Sequence, residues 1–337
     1  HACKISTDYD LPWLNGIFAI FYMSLAAVFV VEGLGIKSKY LAALSGMILV
    51  TFPSMASTFC YSYTIDGYML AVLLVAVAFV LTDRKKWGFL GGIFLLGISL
   101  GIYQAYFSFI ILLCILKLLL SVLDGDKISV IFGKIWRYVV MGIGGYAFYY
   151  ISLRLMMKLK EVNLSQYQGV DNLESFSLSD IPAGIIGAYK TFFNFLRSPG
   201  ALATNKVMYV SVLALIVIGI GIYLWKFIVS KSDKKVLRLV LIMLLLVATP
   251  VGATIVCVMA PDMYFHLIMR LPWALFFVFV LALAERLPSV SKAVLKKIRV
   301  ALATGICVLS VLMVSQVAIT ANVVAFNMEE RHEKTYG

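Results

Sequence analysis

Residues 87–117 read WGFLGGIFLLGISLGIYQAYFSFIILLCILK, and no charged side chain stands between the first and the last of them. This run of about 30 residues is longer than the roughly 20 residues that one helical membrane crossing requires. Gly101 interrupts the run near its middle, and Tyr103 and Tyr106 follow, as is typical of a membrane–water interface. The sequence therefore predicts two membrane helices that form a hairpin, with the turn at residues 101–106.

The composition of the whole chain extends this prediction. The chain has 337 residues, of which 62% are hydrophobic and 14% charged, with a mean hydropathy of +0.97. Soluble domains carry roughly a quarter charged residues, so a soluble globular protein is excluded. We expect a single all-α, polytopic integral membrane domain over 1–337 with about ten transmembrane helices. The predicted spans cover residues 13–34, 40–59, 66–82, 87–102, 103–122, 138–157, 207–228, 239–259, 267–284 and 300–321.

Basic residues set the expected orientation of these spans. The net charge is +12, and the basic clusters occupy every second loop between apolar runs. By the positive-inside rule these loops are cytoplasmic, and both termini of this chain are then outside. The charge therefore indicates orientation and does not indicate a nucleic-acid partner. The clusters are Lys37 with Lys39, Arg84 to Lys86, Lys127 with Lys134 and Arg137, Lys231 to Arg238, and Arg286 to Arg299.

The largest segment between spans is the loop 158–206, which the charge pattern places outside the membrane. Its first half is polar and includes Tyr167 and Gln168, which could hydrogen-bond a sugar. Its second half, IPAGIIGAYKTFFNFL at Ile181–Leu196, has apolar and aromatic residues at helical spacing. That pattern predicts an interfacial helix on the outer leaflet.

Cysteine spacing and the chain ends add two smaller expectations. The five cysteines lie far apart, without the spacing of a metal site or a disulfide framework, and are expected to be small apolar fillers. The first residue is His1 and the last is Gly337, so we expect a fragment of a longer protein.

Acidic residues expected at the outer surface are the first candidates for chemistry. Asp66 lies in CYSYTIDGYM between Tyr63 and Tyr68, and carboxylates beside aromatic rings are suited to binding sugars. Asp66 could instead stabilise the start of a helix. Asp8 and Asp10 form an acidic pair before the first span, and they could serve catalysis or simply begin that helix.

Two polar pairs complete the candidates. His266 and Arg270 lie four residues apart in MYFHLIMRLPW, so an α-helix would place them on one face. Arg270 could bind a phosphate with two hydrogen bonds, or it could reach toward lipid headgroups. Tyr103 and Gln104 at the hairpin turn could hydrogen-bond a sugar or fasten the turn.

Five stretches together resemble the Gtr type II glucosyl transferase family of bacteria. They are STDYDLPWLNG from residue 6, TFPSMASTFCYSYTIDGYMLA from residue 51, LGIYQAYFSF from residue 100, NLSQYQGVD from residue 163 and HLIMRLPW from residue 266. The resemblance implies a fold similar to the GT-C membrane glycosyltransferases, located in the bacterial cytoplasmic membrane. It implies a polyprenyl-phosphate sugar as donor and a cell-surface glycan, such as O-antigen or cell wall glycan, as acceptor.

The resemblance also implies a mechanism and partners. An inverting transfer would use a carboxylate as general base, with Asp8, Asp10 and Asp66 as candidates, while Arg270 stabilises the leaving phosphate. Family members usually begin with another span and an outer loop that carries an acidic residue. The resemblance therefore also allows the catalytic acid to lie in a segment before residue 1, with Asp8 or Asp10 as the nearest candidates in this sequence. A donor-making glycosyltransferase and a flippase are further expected partners. No cofactor is expected, and a requirement for a divalent metal is left open.

Two other functions stay open at this stage. A flippase or transporter for lipid-linked sugars would need charged residues within the membrane spans. The predicted spans contain almost no charged residues apart from Glu32 and Lys117, which lie near span ends. A glycan polymerase would share the outer loop, the lipid-phosphate donor and the arginines.

Overall fold

The computed structural model describes residues 12–61, 63–161, 181–197, 234–259 and 265–286, with isolated positions between 214 and 228 and at 297 and 305. The regular elements of this part are all helical. In chain order they are α1 (Pro12–Leu34), α2 (Lys39–Thr51), α3 (Pro53–Phe59), α4 (Ile65–Arg84), α5 (Gly88–Ile102), α6 (Phe107–Leu123), α7 (Ile128–Lys160), α8 (Ile181–Arg197), α9 (Lys235–Ala253), α10 (Val256–Met259) and α11 (Ala274–Glu285), with short 3-10 helices at Gln104–Tyr106 and Leu267–Trp273.

The prediction of an all-α membrane protein is confirmed in this part of the chain. Six helical segments are long and apolar enough to cross a membrane, and α2 and α5 are shorter apolar helices. These segments coincide with eight of the ten predicted spans. The remaining two, 207–228 and 300–321, lie mostly outside the described residues, so the count of ten stays a prediction.

The predicted hairpin is present, with its turn where the sequence places it. Helix α5 ends at Ile102, and Tyr103 has an extended backbone with φ −155° and ψ 110°. The single 3-10 turn Gln104–Tyr106 then leads into α6. The one long apolar run therefore forms two helices, because its middle residues leave the α-helical conformation.

Two predicted spans have different bounds in the structure. The span 40–59 is divided into α2 and α3 at Phe52, whose ψ of 144° is the extended conformation that a following proline imposes. Helix α7 begins ten residues before the predicted start at residue 138, because the prediction followed the apolar run alone and the helix begins before it, at Ile128. Lys134, in this earlier part, lies with its Nζ 3.1 Å from Oδ2 of Asp126 and donates to Ser121 Oγ at 2.8 Å.

A largely buried group of charges joins four helices at one end of the bundle. We call it the basic end; α1, α4, α6 and α11 finish there, and α7 and α9 begin there. Asp83 of α4 lies 3.5 Å from Nζ of Lys117 and 4.0 Å from Nζ of Lys134. Tyr138 donates to the same carboxylate at 2.6 Å. Lys117 also donates to the carbonyl of Gly33 in α1 at 2.6 Å. Removing one member of such a buried group leaves an uncompensated charge, so the group fixes these helices together.

Arginines close the ends of the helices at the same place. Arg238 of α9 donates to the carbonyls of Val122, Gly125 and Asp126 at 3.2, 3.3 and 2.8 Å. These carbonyls lie at or just after the end of α6, where helical carbonyls have no partner within the helix. Arg286 pairs with both oxygens of Asp124 at 2.9 Å. Basic residues from three predicted cytoplasmic loops, Lys134, Arg238 and Arg286, thus share one end, as the alternation predicts.

Small residues allow the close contact between α5 and α7. Helix α4 packs against α1 and α5, and α5 packs against α7. A Cβ on Gly97 would lie 2.2 Å from the ring of Phe148, and one on Gly145 would lie 2.7 Å from the side chain of Leu96. Glycines at such positions let membrane helices approach closely, which is the usual basis of their packing in lipid.

We expect Gly145→Ala to destabilise the protein, while Gly142→Ala on the same helix leaves its stability unchanged or raises it. The added methyl at 145 meets the fully buried Leu96, and overpacking of this kind costs about 1–3 kcal/mol. At 142 nothing lies within 4 Å, and alanine favours a helix by about 0.8–1.0 kcal/mol over glycine. Thermal unfolding in one detergent measures both, and equal shifts for the two variants would refute the packing argument.

Candidate functional site

Three tyrosines form a cluster at the opposite end of the bundle. Tyr68 lies in the first turns of α4, and Tyr103 and Tyr106 belong to the hairpin turn. The rings of Tyr68 and Tyr103 are 4.8 Å apart between centroids, and those of Tyr103 and Tyr106 are 5.1 Å apart at 76°. We call Tyr68, Tyr103 and Tyr106 the tyrosine cluster, and the end of the bundle that carries it the tyrosine end.

The phenol of Tyr103 stays protonated at neutral pH. Burial raises its pKa, and the neighbouring phenols of Tyr68 and Tyr61 raise it further. A protonated phenol both donates and accepts a hydrogen bond, as a sugar hydroxyl does. Tyr103 is therefore suited to contact a neutral, hydroxyl-rich ligand.

Gln104 is held in place by a residue that the sequence analysis did not select. Its Nε2 donates to the hydroxyl of Tyr149, a buried residue of α7, at 2.8 Å. Tyr146, Tyr149 and Tyr150 recur on α7 at helical spacing, and this repeat is the sequence signal that could have identified Tyr149. The hydrogen bond links the hairpin turn to α7 and fixes the orientation of the Gln104 amide.

Arg270 lies half-buried in the 3-10 helix that precedes α11. Its Nη2 donates to the carbonyl of Phe265 at 3.1 Å, and its guanidinium lies 5.6 Å from the centre of the Phe265 ring. The expectation that an α-helix places His266 and Arg270 on one face is wrong. His266 precedes the helix with an extended ψ of 158°, and residues in a 3-10 helix align at a spacing of three. Pro272, which lacks a backbone N–H, lies within the same 3-10 helix.

The tyrosine cluster and the segment of Arg270 belong to one packed region. Tyr68 and Tyr103 pack against a buried group that includes Phe265, Ile268 and Met269. The structure therefore brings Tyr68, Tyr103, Gln104 and the 3-10 helix of Arg270 to the same end of the bundle.

Asp66 is buried at this end but faces away from Tyr68. It is 3% exposed and lies in the first turn of α4, where the unpaired backbone N–H groups favour a negative charge. Side chains two positions apart on an α-helix project in directions about 200° apart, so Asp66 and Tyr68 lie on different faces of α4. Tyr63 precedes the helix and is 52% exposed. The aromatic-acidic stretch of the sequence thus does not form one continuous surface.

Helix α8 confirms the helix predicted over Ile181–Leu196 and packs against the same region. The Phe192 ring stacks on Trp273 at 4.8 Å, and the Tyr189 hydroxyl donates to the carbonyl of Val247 at 2.5 Å. Ile186 and Phe193 of the same helix are exposed. An amphipathic helix with exposed apolar residues fits a membrane surface, and its position on the outer leaflet stays a prediction.

Several candidates lie outside the described residues, and no metal site is evident within them. Asp8, Asp10, Tyr167 and Gln168 fall in segments that the structure does not describe. Across the described ranges, no three His, Cys, Asp or Glu side chains come together in a group that could hold a metal ion.

The apolar helices indicate an integral membrane protein, and the tyrosine cluster with the segment of Arg270 is its candidate site. The family model described as Glucosyl transferase GtrII matches residues 2–283 of the chain. The protein therefore belongs to the GtrII glucosyl transferase family, as its motifs indicate. No match is found among curated proteins or among solved structures.

We expect Asp66→Asn to lose most glucosyl transfer while the protein inserts at normal levels. Asparagine keeps the size and a hydrogen-bond acceptor but removes the charge, and loss of a general base costs about 10²-fold or more. Transfer per folded molecule is the quantity to measure, together with the melting temperature. If Asp66 only stabilises the start of α4, the melting temperature will fall and transfer per folded molecule will not.

Proposed function

We propose that this protein transfers a glucosyl residue from a polyprenyl-phosphate donor to a cell-surface glycan at the outer face of the bacterial cytoplasmic membrane. The observation that carries the proposal is the packing of the tyrosine cluster against the segment of Arg270 at one end of the bundle. Membership of the GtrII family supplies the glucosyl transfer itself.

Charge distribution supports the side of the membrane on which the reaction takes place. The ion pairs of Asp83, Asp124 and Asp126 and the arginines around them lie at the basic end. The positive-inside rule assigns that end to the cytoplasm, so the tyrosine end faces outward. A lipid-linked donor and a surface glycan can both meet there.

The two parts of the region suit the two parts of the donor. Tyrosine rings and phenols, with the fixed amide of Gln104, match the apolar faces and hydroxyl groups of a hexose. The guanidinium of Arg270 matches a phosphate, which it can contact with two parallel hydrogen bonds. Its half-burial strengthens that attraction by lowering the local dielectric constant.

The proposed chemistry is a single displacement at the anomeric carbon. A carboxylate takes the proton of an acceptor hydroxyl, whose oxygen attacks C1 of the glucosyl unit as the bond from C1 to the phosphate oxygen breaks. The polyprenyl phosphate leaves with the electron pair of that bond, and Arg270 stabilises its charge. Asp66, Asp8 and Asp10 are the candidate bases, and Asp66 is the one of the three that the structure describes, in the first turn of α4.

The charges in the described spans argue against a transporter. A path for ions or charged headgroups needs ionisable groups along it. Lys117 and Asp83 instead pair with each other at the basic end, and Glu32 pairs with Arg84 there. A glycan polymerase would use the same site, and analysis of the product separates it from transfer of one glucosyl residue.

Cysteine labelling tests the orientation. In a background without the natural cysteines, we expect an impermeant maleimide to label Tyr63→Cys in intact spheroplasts and Lys86→Cys only after permeabilisation. Both positions are exposed, and they lie at opposite ends of α4. The reverse pattern would place the tyrosine cluster in the cytoplasm and refute the proposed site of transfer.

We expect Arg270→Lys to weaken use of the donor more than use of the acceptor. Lysine keeps the charge but lacks the planar pair of donors, and a hydrogen bond between charged groups contributes about 1.5–3 kcal/mol. The apparent KM for each substrate, measured in liposomes, should rise about ten-fold or more for the donor alone. Arg154→Lys, on the exposed outer part of α7, serves as the control. Unchanged donor dependence in Arg270→Lys would remove Arg270 from the phosphate site.

A further inference from the structure

Tyr106 is a buried tyrosine whose hydroxyl has no hydrogen-bond partner among the residues that the structure describes. The side chain is 0% exposed, and its hydroxyl makes no hydrogen bond with any described residue. The other two buried tyrosines are satisfied, since Tyr138 donates to Asp83 and Tyr149 accepts from Gln104. Buried hydroxyls without partners are rare because each loses its hydrogen bonds to water, so an unpaired one calls for an explanation.

The side chain that carries this hydroxyl belongs to the tyrosine cluster. The ring of Tyr106 meets the ring of Tyr103 edge-on, with 5.1 Å between their centroids. The unpaired hydroxyl is therefore part of the region that we propose to contact the sugar. Phenylalanine would fill the same space without leaving an unpaired group, so packing alone does not account for a tyrosine here.

We infer that the Tyr106 hydroxyl binds one hydroxyl group of the glucosyl unit of the donor and selects for the presence of that group. The inference rests on the proposed function and names a specificity residue within its site. A sugar hydroxyl can donate to and accept from the phenol, which satisfies the group that the protein leaves unpaired. A donor that lacks this hydroxyl would leave Tyr106 unpaired in a dry environment, and sites of this kind reject such analogues strongly.

The direct test compares Tyr106→Phe with Tyr138→Phe. We expect Tyr106→Phe to lower kcat/KM for the glucosyl donor about ten-fold while its melting temperature stays equal to wild type or rises, since no bond within the protein is lost. Tyr138→Phe removes the hydrogen bond to Asp83 at the basic end, so it should lower the melting temperature and leave the KM for the donor unchanged. A merely structural role of Tyr106 would not produce this contrast.

A second measurement uses polyprenyl phosphates that carry singly deoxygenated glucosyl groups. The wild type should discriminate against each of them, and Tyr106→Phe should lose discrimination at one hydroxyl position only. Suppose that the wild type is active and that Tyr106→Phe has the same kcat/KM and the same discrimination as the wild type. This result would overturn the inference about Tyr106 and leave the proposed function standing. A wild type that transfers no glucosyl residue from any polyprenyl phosphate would overturn both.

Discussion

Asp83 holds Lys117 and Lys134 at one end of the bundle, and the arrangement of the helices depends on this contact. Charged groups are costly in a bilayer unless they are paired, so the three side chains constrain α4, α6 and α7 to finish or begin at the same level. Lys117 extends the constraint to α1 through the carbonyl of Gly33. Arg238 and Arg286 add α9 and α11 by binding the turn that follows α6. Since lipid provides no hydrophobic force between helices, such polar contacts and the glycine contacts of α5 and α7 carry the association.

The tyrosine end is organised differently. Its backbone departs from the α-helix at Phe52, at Tyr103 and through Leu267–Trp273, while the basic end carries the ion pairs. Non-helical backbone at membrane depth is tolerated where it is buried in protein or faces a polar cavity. The residues that suit a sugar and a phosphate lie on these irregular segments. One end of the bundle therefore fixes the helices, and the other presents the groups suited to recognition.

The sequence alone predicted the membrane class, the hairpin and the common end of the basic loops, because apolar run length and charge alternation are local properties. It did not predict the start of α7, since the length of an apolar run marks a membrane crossing and not the whole helix. It placed His266 and Arg270 on an α-helix, whereas the structure has a 3-10 helix from Leu267 to Trp273. Asp66 and Tyr68 are neighbours in sequence but lie on different faces of α4. Tyr106 and Tyr149 acquire meaning only from burial and hydrogen bonding in the folded protein.

The length of α7 has a consequence for how the two substrates meet. Its 33 residues extend for about 50 Å, whereas a bilayer with its headgroups is about 40–45 Å thick. From Tyr149, which binds the hairpin turn, the helix continues to Lys160, a distance of about 16 Å. The tyrosine cluster meets α7 at Tyr149 and therefore lies well short of the end of that helix. If the proposed orientation holds, a lipid-linked donor meets the cluster from within the membrane, and the polymer acceptor is the substrate that has to reach down from the water.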